Sequence, residues 1–559
     1  MSTQHPADLI VATGRVLTLD DTDTVAEAVA IRNGRVQAVG KADELAALRG
    51  PGTRVLDLPG ATVIPGFNDS HAHMEREGLK LLRPSLAGCR SLAEVLARIS
   101  QAARERPPGE WIVTMPLGAP PYFFDALQSL EEGRPPNRDE LDRAAPDHPV
   151  CIPGLFGNWG TPPGYTCLNS RALALNGIDR DTRPQAPGIE IMFDPAGEPT
   201  GVIVERNSRP MVEFDLLKAV PRFSFADRLR GLELSMKLYS SVGTTSVYEG
   251  HGSAAETIAI YRELWEQGRM KVRAGLVVSP AWDNLAEAER AMRDWLAHAR
   301  GSGLGDPWLR ISGVHVAYGG DHVCASLSRS DLPNTGWSGF VDQAHDPAEF
   351  RDICRLCLRY GIRLNTIVGD HLRDVVAILE EVAEGRSLAP LRWVIQHIAR
   401  TDLASLEKLK RLGVLVTVIP VYYLWKGGGA YAVEHGDEVV PLRSMIELGL
   451  DPASATDNIP YQPGFTLWTM TQRRRRTDDA VLGLEQRLDR RAALRSLTVA
   501  GARLTFDEAI KGPLRRGYLA DMAVLSTDPL NCGESELQDL RSLVTVVDGT
   551  IVHEEDGST

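Results

Sequence analysis

The sequence contains no apolar run that approaches the roughly 18–20 residues of a membrane-spanning helix. Its start, Met1 to Leu9, also lacks the basic residues and apolar stretch that a secretory signal needs. A cytoplasmic location with no membrane contact is the expectation. An excess of positive charge is missing too: 61 basic residues face 74 acidic ones, for a formal charge of −13. Such a surface disfavours phosphate backbones and anionic lipid, so nucleic acid is not an expected partner. Cysteine is sparse, seven in 559 residues, and odd in number, which excludes a disulfide framework and predicts reduced thiols. Only Cys354 and Cys357 lie close together, in "EFRDICRLCLRYG". Its apolar spacing predicts an amphipathic helix carrying two half-buried thiols, and the second CxxC of a zinc knuckle is absent.

What is present is long and patterned. At roughly 100–200 residues per domain the chain predicts two to four units. Residues 1–65 hold short β-type runs, "DLIVATGRVLTL", "AEAVAIRNGRVQAVG" and "TRVLDLPGATVIPG", with Asn33-Gly34 as a turn; residues 513–559 do the same in "LADMAVLST" and "LVTVVDGTIVHEE", with Asp548-Gly549 as the turn. The two ends therefore predict one sheet domain closed by both termini.

Residues 66–512 alternate strand-length apolar runs with amphipathic stretches. The runs are "ATVIPGF", "GTTSVYE", "VRAGLVVS", "LRISGVHVA", "IRLNTIVG", "LRWVIQHI", "VLVTVIP" and "PASATD". Helical stretches such as "SAAETIAIYRELWEQG" and "DPAEFRDICRLCLRYG" lie between them. Eight such units predict an α/β fold, a (β/α)8 TIM-like barrel. The gap after the first strand is too wide for one unit. Its residues 105–212 or so read as an inserted subdomain on the catalytic side of the barrel, placed to wall a pocket.

The chemistry is concentrated in "VIPGFNDSHAHME". Residues two apart on a strand face one way, so His71 and His73 are predicted to hold one ion together. His397 interrupts the apolar run "RWVIQHI", and Asp457 interrupts "ASATDNIP", each at the end of a predicted strand. In a barrel all four side chains converge on one mouth. There a divalent ion would activate water and Asp457 would carry its proton to a leaving nitrogen. His397 would either ligate the ion or polarise the substrate carbonyl.

These segments, with "GTTSVYEGHG" and the ending "GPLRRGYLADMAVLSTDP…VTVVDGTIVHE", resemble the amidohydrolase superfamily. The segments "CRSLAEVLARI", "GEWIVTMPLG" and "LNSRALALNGI" are similar to its YtcJ-like branch, which includes N-substituted formamide deformylases. The resemblance implies a barrel with a composite β-sandwich formed by both termini, and hydrolysis of a non-peptide carbon–nitrogen bond. It also implies a divalent metal: zinc first, with manganese, cobalt or iron as alternatives. The chain departs from the branch in three places. His315 stands where a strand-four lysine is usual, Thr366 stands where strand five usually has histidine, and "GNWGTPPGYTCLNS" lacks the usual glycine-histidine. A mononuclear site of His71, His73 and Asp457 with His315 or Glu249 is therefore expected, and His251 is a further residue able to enter it.

Substrate contacts are expected from His251, His322, Tyr422 and Trp425. His322 and His371 sit at loop tips in "GGDH" and "VGDH", and the neighbouring Asp321 and Asp370 could cap helices. The segment "VYYLWKGGGAYAVEH" combines aromatics with three glycines, as a lid on a glycine hinge would. Trp159, Trp337, Tyr422, Tyr423 and Trp425 favour an apolar or aromatic group in the substrate. His345 and His435 read as loop residues. "RRRR" at Arg473 to Arg476 predicts a solvated helix face or a salt-bridged interface. The expected partner is a small molecule, and a symmetric homodimer is the common oligomer for such enzymes. Two other readings stay open: deamination or another hydrolysis at the same site, and a binding or partner subunit that has lost catalysis.

Overall fold

The structure, a computed structural model, describes residues 5–119, 123, 126–154, 163–206, 211–280, 282–329, 345–431 and 436–555. Eight parallel strands form its central sheet in chain order: Phe67–Asp69, Thr244–Ser253, Arg273–Val278, Leu309–His315, Leu364–Gly369, Val394–Ile398, Leu415–Val418 and Ala453–Ser454. We call these barrel strands one to eight. Neighbours pair in parallel from strand one to strand eight. The remaining seam is tied by side chain and backbone. Asp69 accepts hydrogen bonds from Thr456 N, at 2.9 Å, and from the Thr456 hydroxyl, and Asp457 N donates to His71 O at 3.1 Å. The sheet is thus a nearly closed TIM-like barrel.

Local sequence chemistry sets the outer helices. Helix Pro347–Tyr360 begins with Asp346, whose carboxylate accepts from Ala348 N and Glu349 N, and with proline in its first turn. It ends at Gly361, whose φ of 68° a residue with a Cβ adopts only under strain. Phe350, Ile353, Cys354 and Cys357 face the barrel core, so the two thiols expected to be half-buried are fully buried. Helix Leu403–Leu412 repeats the scheme, with Asp402 at its start and Gly413 at its end.

The first expected barrel run, "ATVIPGF", proves to be two strands. Thr62–Pro65 lies in the terminal sheet, the chain breaks at Gly66, and only Phe67–Asp69 enters the barrel. A Cβ on Gly66 would stand 2.2 Å from the Thr245 side chain. The crossing between the two sheets therefore needs glycine.

Both termini share one eight-stranded sheet, in the order Thr550–Glu554, Ser542–Val547, Met522–Leu525, Thr62–Pro65, Leu9–Leu17, Val25–Arg32 and Arg35–Gly40, with Arg54–Asp57 beside Leu9–Leu17. Its two predicted turns have left-handed backbone at both central residues, φ 48° and 73° at Asn33-Gly34 and 52° and 73° at Asp548-Gly549. That geometry suits the twist of tight hairpins. Arg273 fixes this sheet to the barrel through a buried two-pronged bond to Asp521, at 2.7 and 3.0 Å. Between barrel strands one and two, Ile189–Phe193, Pro199–Glu205, Gly164–Leu168, Val150–Ile152 and Ile112–Val113 form a separate five-stranded sheet in that order.

The arginine run is not the solvated face expected of it throughout. Arg473 follows helix Pro463–Gln472 and is fully buried, while Arg474 and Arg475 pair with Asp479 and Asp478 nearer the surface. Among the described residues no helix is long and apolar enough to cross a membrane.

Candidate metal centre and active site

His71 and His73 lie just beyond barrel strand one rather than within it, and His73 caps the helix Met74–Leu79. Their facing therefore comes from the turn, not from strand alternation, and their rings meet edge to face with centroids 5.3 Å apart. Asp457 Oδ1 lies 3.1 Å from His73 Nε2 and 4.0 Å from His71 Nε2. His397 Nε2 is 3.1 Å from His71 Nε2 and 4.0 Å from Asp457 Oδ2. Ligand bonds of about 2.0–2.1 Å set neighbouring donors of a tetrahedral zinc-type ion roughly 3.3 Å apart, close to these spacings. Donor atoms of His71, His397 and Asp457 lie within 4.8 Å of one another, and so do those of His71, His73 and His251; all these residues are buried.

Burial pushes both the His71 and His73 imidazoles well below their ordinary pKa, which leaves them neutral and able to ligate. Burial likewise raises the Asp457 carboxyl to about 7, against the opposing pull of Arg76 and Lys426. A carboxyl isolated in this way gains from a cation beside it. The donor set, imidazoles with one carboxylate, fits a zinc-class divalent ion.

Three residues of the centre hold left-handed backbone: His397 at φ 56°, Asp457 at 52° and Asn458 at 57°. Such conformations persist where surrounding contacts over-determine them. Asn458 supplies many of those contacts. Its Oδ1 accepts from His73 N at 2.8 Å and from Tyr239 Oη at 2.7 Å, and its Nδ2 donates to His73 O at 2.9 Å and Glu77 Oε1 at 2.8 Å. Asn458→Ala would remove all four bonds inside a buried site. Metal affinity is expected to fall about 10–100-fold, the scale of losing a partner that orients a ligand. Equilibrium competition against a metal chelator measures it, and an unchanged affinity would refute the clamp.

Gln396 donates its amide to Gly250 O and Asn365 Oδ1, at 3.1 and 3.3 Å. His71 Nε2 faces Asp457 and His397, 4.0 and 3.1 Å away. Glu249 reaches the same centre from strand two. One of its oxygens accepts from Met74 N at 2.9 Å and Tyr261 Oη at 2.7 Å, and the other is 3.9 Å from His73 Nδ1. Burial raises its carboxyl to about 8. Glu249 and His315 stand outside both donor groups; the His315 ring packs 5.0 Å from that of His251.

A cavity of about 330 Å³ opens beside the centre, lined by His251, His397, Tyr422, Tyr423, Tyr318 and His371 among others. This is at the small end of ligand pockets. The expected lid is wound up: Val421–Lys426 forms a π-helix with Val421, Tyr423 and Leu424 buried, and Tyr423 Oη lies 3.2 Å from His397 Nδ1. A glycine hinge does not govern these six residues, because their helix packs into the core. Trp425 meets Phe465 edge on, at 5.0 Å, and does not line the cavity. His322 opens the helix His322–Arg329 in an exposed position, with Asp321 accepting from Cys324 N, and it does not line the cavity either. His345, expected in a loop, is buried beside Glu349. Trp159, Trp337 and His435 lie outside the described residues. Gln396, Asn458 and Asp69 escape sequence reading, although each is a polar residue next to or two positions from a residue already singled out.

Residues 54–553 match the amidohydrolase family. The chain belongs to that family. This amidohydrolase is a hydrolase of carbon–nitrogen bonds, and similar proteins span nearly its whole length. The N-substituted formamide deformylase of Arthrobacter pascens is 27% identical over 99% of each chain. The putative amidohydrolase YtcJ of Bacillus subtilis (strain 168) is 24% identical, over 97% of this chain and 98% of its own. Among solved structures, an uncharacterized metal-dependent hydrolase from Pyrococcus furiosus superposes with a TM-score of 0.66 at 21% identity, covering 94% of this amidohydrolase and 100% of the other chain.

Proposed function

We propose that this amidohydrolase cleaves a non-peptide, amide-type carbon–nitrogen bond in a small apolar or aromatic molecule, with one divalent ion, zinc by donor type, held by His71, His73 and Asp457. The observation that carries this reading is the meeting of those residues with His397 at contacts of 3.1 Å, from segments hundreds of positions apart. When bound, the ion supplies Lewis acidity and eases the ionisation of water near neutral pH. The protein's own residues do the rest. Asp457, buried beside the ion, takes a proton from the attacking water and gives it to the departing nitrogen. With the Tyr423 hydroxyl, 3.2 Å away, donating to His397 Nδ1, the ring would carry its proton on Nε2 and present it to the charge that develops on the carbonyl oxygen. Tyr422 and Tyr318 give the cavity its aromatic walls, and its 330 Å³ limits the substrate to a small molecule. The similarity to a formamide deformylase supports an N-acyl amine as the first substrate class to try.

We read residues 1–65 and 513–559 as a composite β-sandwich around the 66–512 barrel, with the insert at about 105–212. Seven free thiols support a cytoplasmic location.

Stripping the metal with a chelator is expected to lower hydrolysis by at least about 10³-fold, the effect of several kcal/mol of lost charge stabilisation. Zinc, manganese or cobalt should restore it in proportion to occupancy. Release of an acid and an amine from N-formyl and N-acyl aryl amines supports the reaction proposed. Ammonia release would reassign it to deamination, and an apo protein unaffected by chelation would refute it.

A further inference from the structure

Barrel strand two ends in Glu249-Gly250-His251-Gly252, and contact dictates both glycines. A Cβ on Gly250 would stand 2.5 Å from the Gln396 amide nitrogen. One on Gly252, whose φ is +95°, would stand 2.8 Å from the His315 Cβ and 3.2 Å from the Ser279 Cβ. The strand end is therefore pressed into the barrel mouth more closely than any residue with a side chain permits. His251 sits between the glycines and is carried inward with them, 5% exposed. Its ring centroid lies 6.0 Å from that of His71 and 5.5 Å from that of His73. A nitrogen of His251 shares a single group with theirs, all within 4.8 Å.

We infer that His251 is the third imidazole ligand of the ion held by His71 and His73; Asp457, 3.1 Å from His73 Nε2, reaches that ion from the His73 side as the fourth donor. The inference rests on the metal centre proposed above and adds one ligand to it. Three imidazoles and a carboxylate make a four-coordinate set of the kind that zinc-class ions take. Strand five offers no imidazole here: Thr366 is fully buried and its hydroxyl has no hydrogen-bond partner among the described contacts. His251 thus supplies from strand two what strand five lacks. The His315 ring, 5.0 Å behind it, serves as a positioning residue. His397, which shares a donor group with His71 and Asp457, is left to the substrate in this assignment; both it and His251 line the cavity.

Metal binding by the full-length protein tests this without reference to turnover. In chelator competition with zinc, His251→Ala is expected to bind more than about 100-fold more weakly, beyond the roughly 10–100-fold that losing an orienting partner costs. His315→Ala should stay within about 10-fold of the unaltered protein. In His251→Cys loaded with cobalt, a thiolate-to-metal charge-transfer absorption should appear that the unaltered cobalt protein lacks, because the new sulfur sits on the ion. A cobalt spectrum without that band, or His251→Ala binding within about 10-fold of the unaltered protein, would overturn the assignment and leave His251 as a substrate contact. His71→Ala separates the two levels. If it also binds metal normally, the whole centre is misread; if it alone loses metal, only His251 is.

Discussion

Asp457→Asn is expected to lower kcat/KM by about 10²–10⁴-fold at saturating metal, the range attached to loss of a positioned proton carrier. Asparagine is the substitution to make because it preserves shape and, unlike alanine, tolerates the left-handed φ of 52° that the position holds. The backbone bond from Asp457 N to His71 O, at 3.1 Å, then survives and keeps the barrel seam closed. What disappears is a group able to accept and release a proton. The amide can still offer an oxygen to the ion, so part of the metal affinity should remain and excess zinc should refill the site. A variant that retains more than a tenth of the original rate once refilled would show that another group carries the proton. The buried Glu249, raised to about 8 and 3.9 Å from His73 Nδ1, is the carboxyl to examine next.

The two strand-end residues proposed for catalysis, His397 and Asp457, are legible because they break a pattern. A histidine or aspartate closing a run of buried apolar residues has no structural reason to be there, and a parallel barrel brings all such endings to one rim. Strands three to eight follow from the same logic: Arg273–Val278, Val394–Ile398 and their neighbours are apolar because the barrel buries them on both faces. The hairpins at Asn33-Gly34 and Asp548-Gly549 follow from turn chemistry that few other residue pairs supply.

The failures are equally physical. "ATVIPGF" reads both as the end of the terminal sheet and as the first barrel strand; the boundary at residues 65–66 is right, but the barrel strand starts only at Phe67, because Gly66 must meet Thr245, a contact across nearly 180 residues that no local pattern records. His71 and His73 lie past the strand end and converge through the turn there, where strand alternation does not apply. Asn458 carries no sequence signal, because an amide beside a strand end is ordinary. Its importance lies in its bonds to His73, which only the closed barrel creates. The glycines around His251 carry no signal in the sequence, whereas in the fold they allow close approach.

Arg473→Met is expected to destabilise the protein by about 3–5 kcal/mol, the scale of breaking a buried charged network from one side. The side chain is fully buried, and its guanidinium donates to Leu482 O at 2.6 Å, Val439 O at 2.7 Å and Val440 O at 3.1 Å. Burial lowers its pKa only to about 10, so the charge is present at neutral pH. Methionine fills similar volume but leaves three buried carbonyls without that donor, each of which then bears its desolvation penalty. The loss should also reach the active site. Val440 N bonds Ala399 O at 2.8 Å, two residues past His397, so a loosened 436–440 segment frees the end of strand six. The neighbouring arginine is the control. Arg474 pairs only near the surface with Asp479, and Arg474→Met should change stability by no more than about 0.5 kcal/mol. The midpoint of the first urea transition compares the two. Equal shifts would mean that the run acts through its summed charge, whereas a large shift for Arg473 alone means that one guanidinium, by its bonds to three carbonyls, fastens the loop after strand seven to the segment after strand eight.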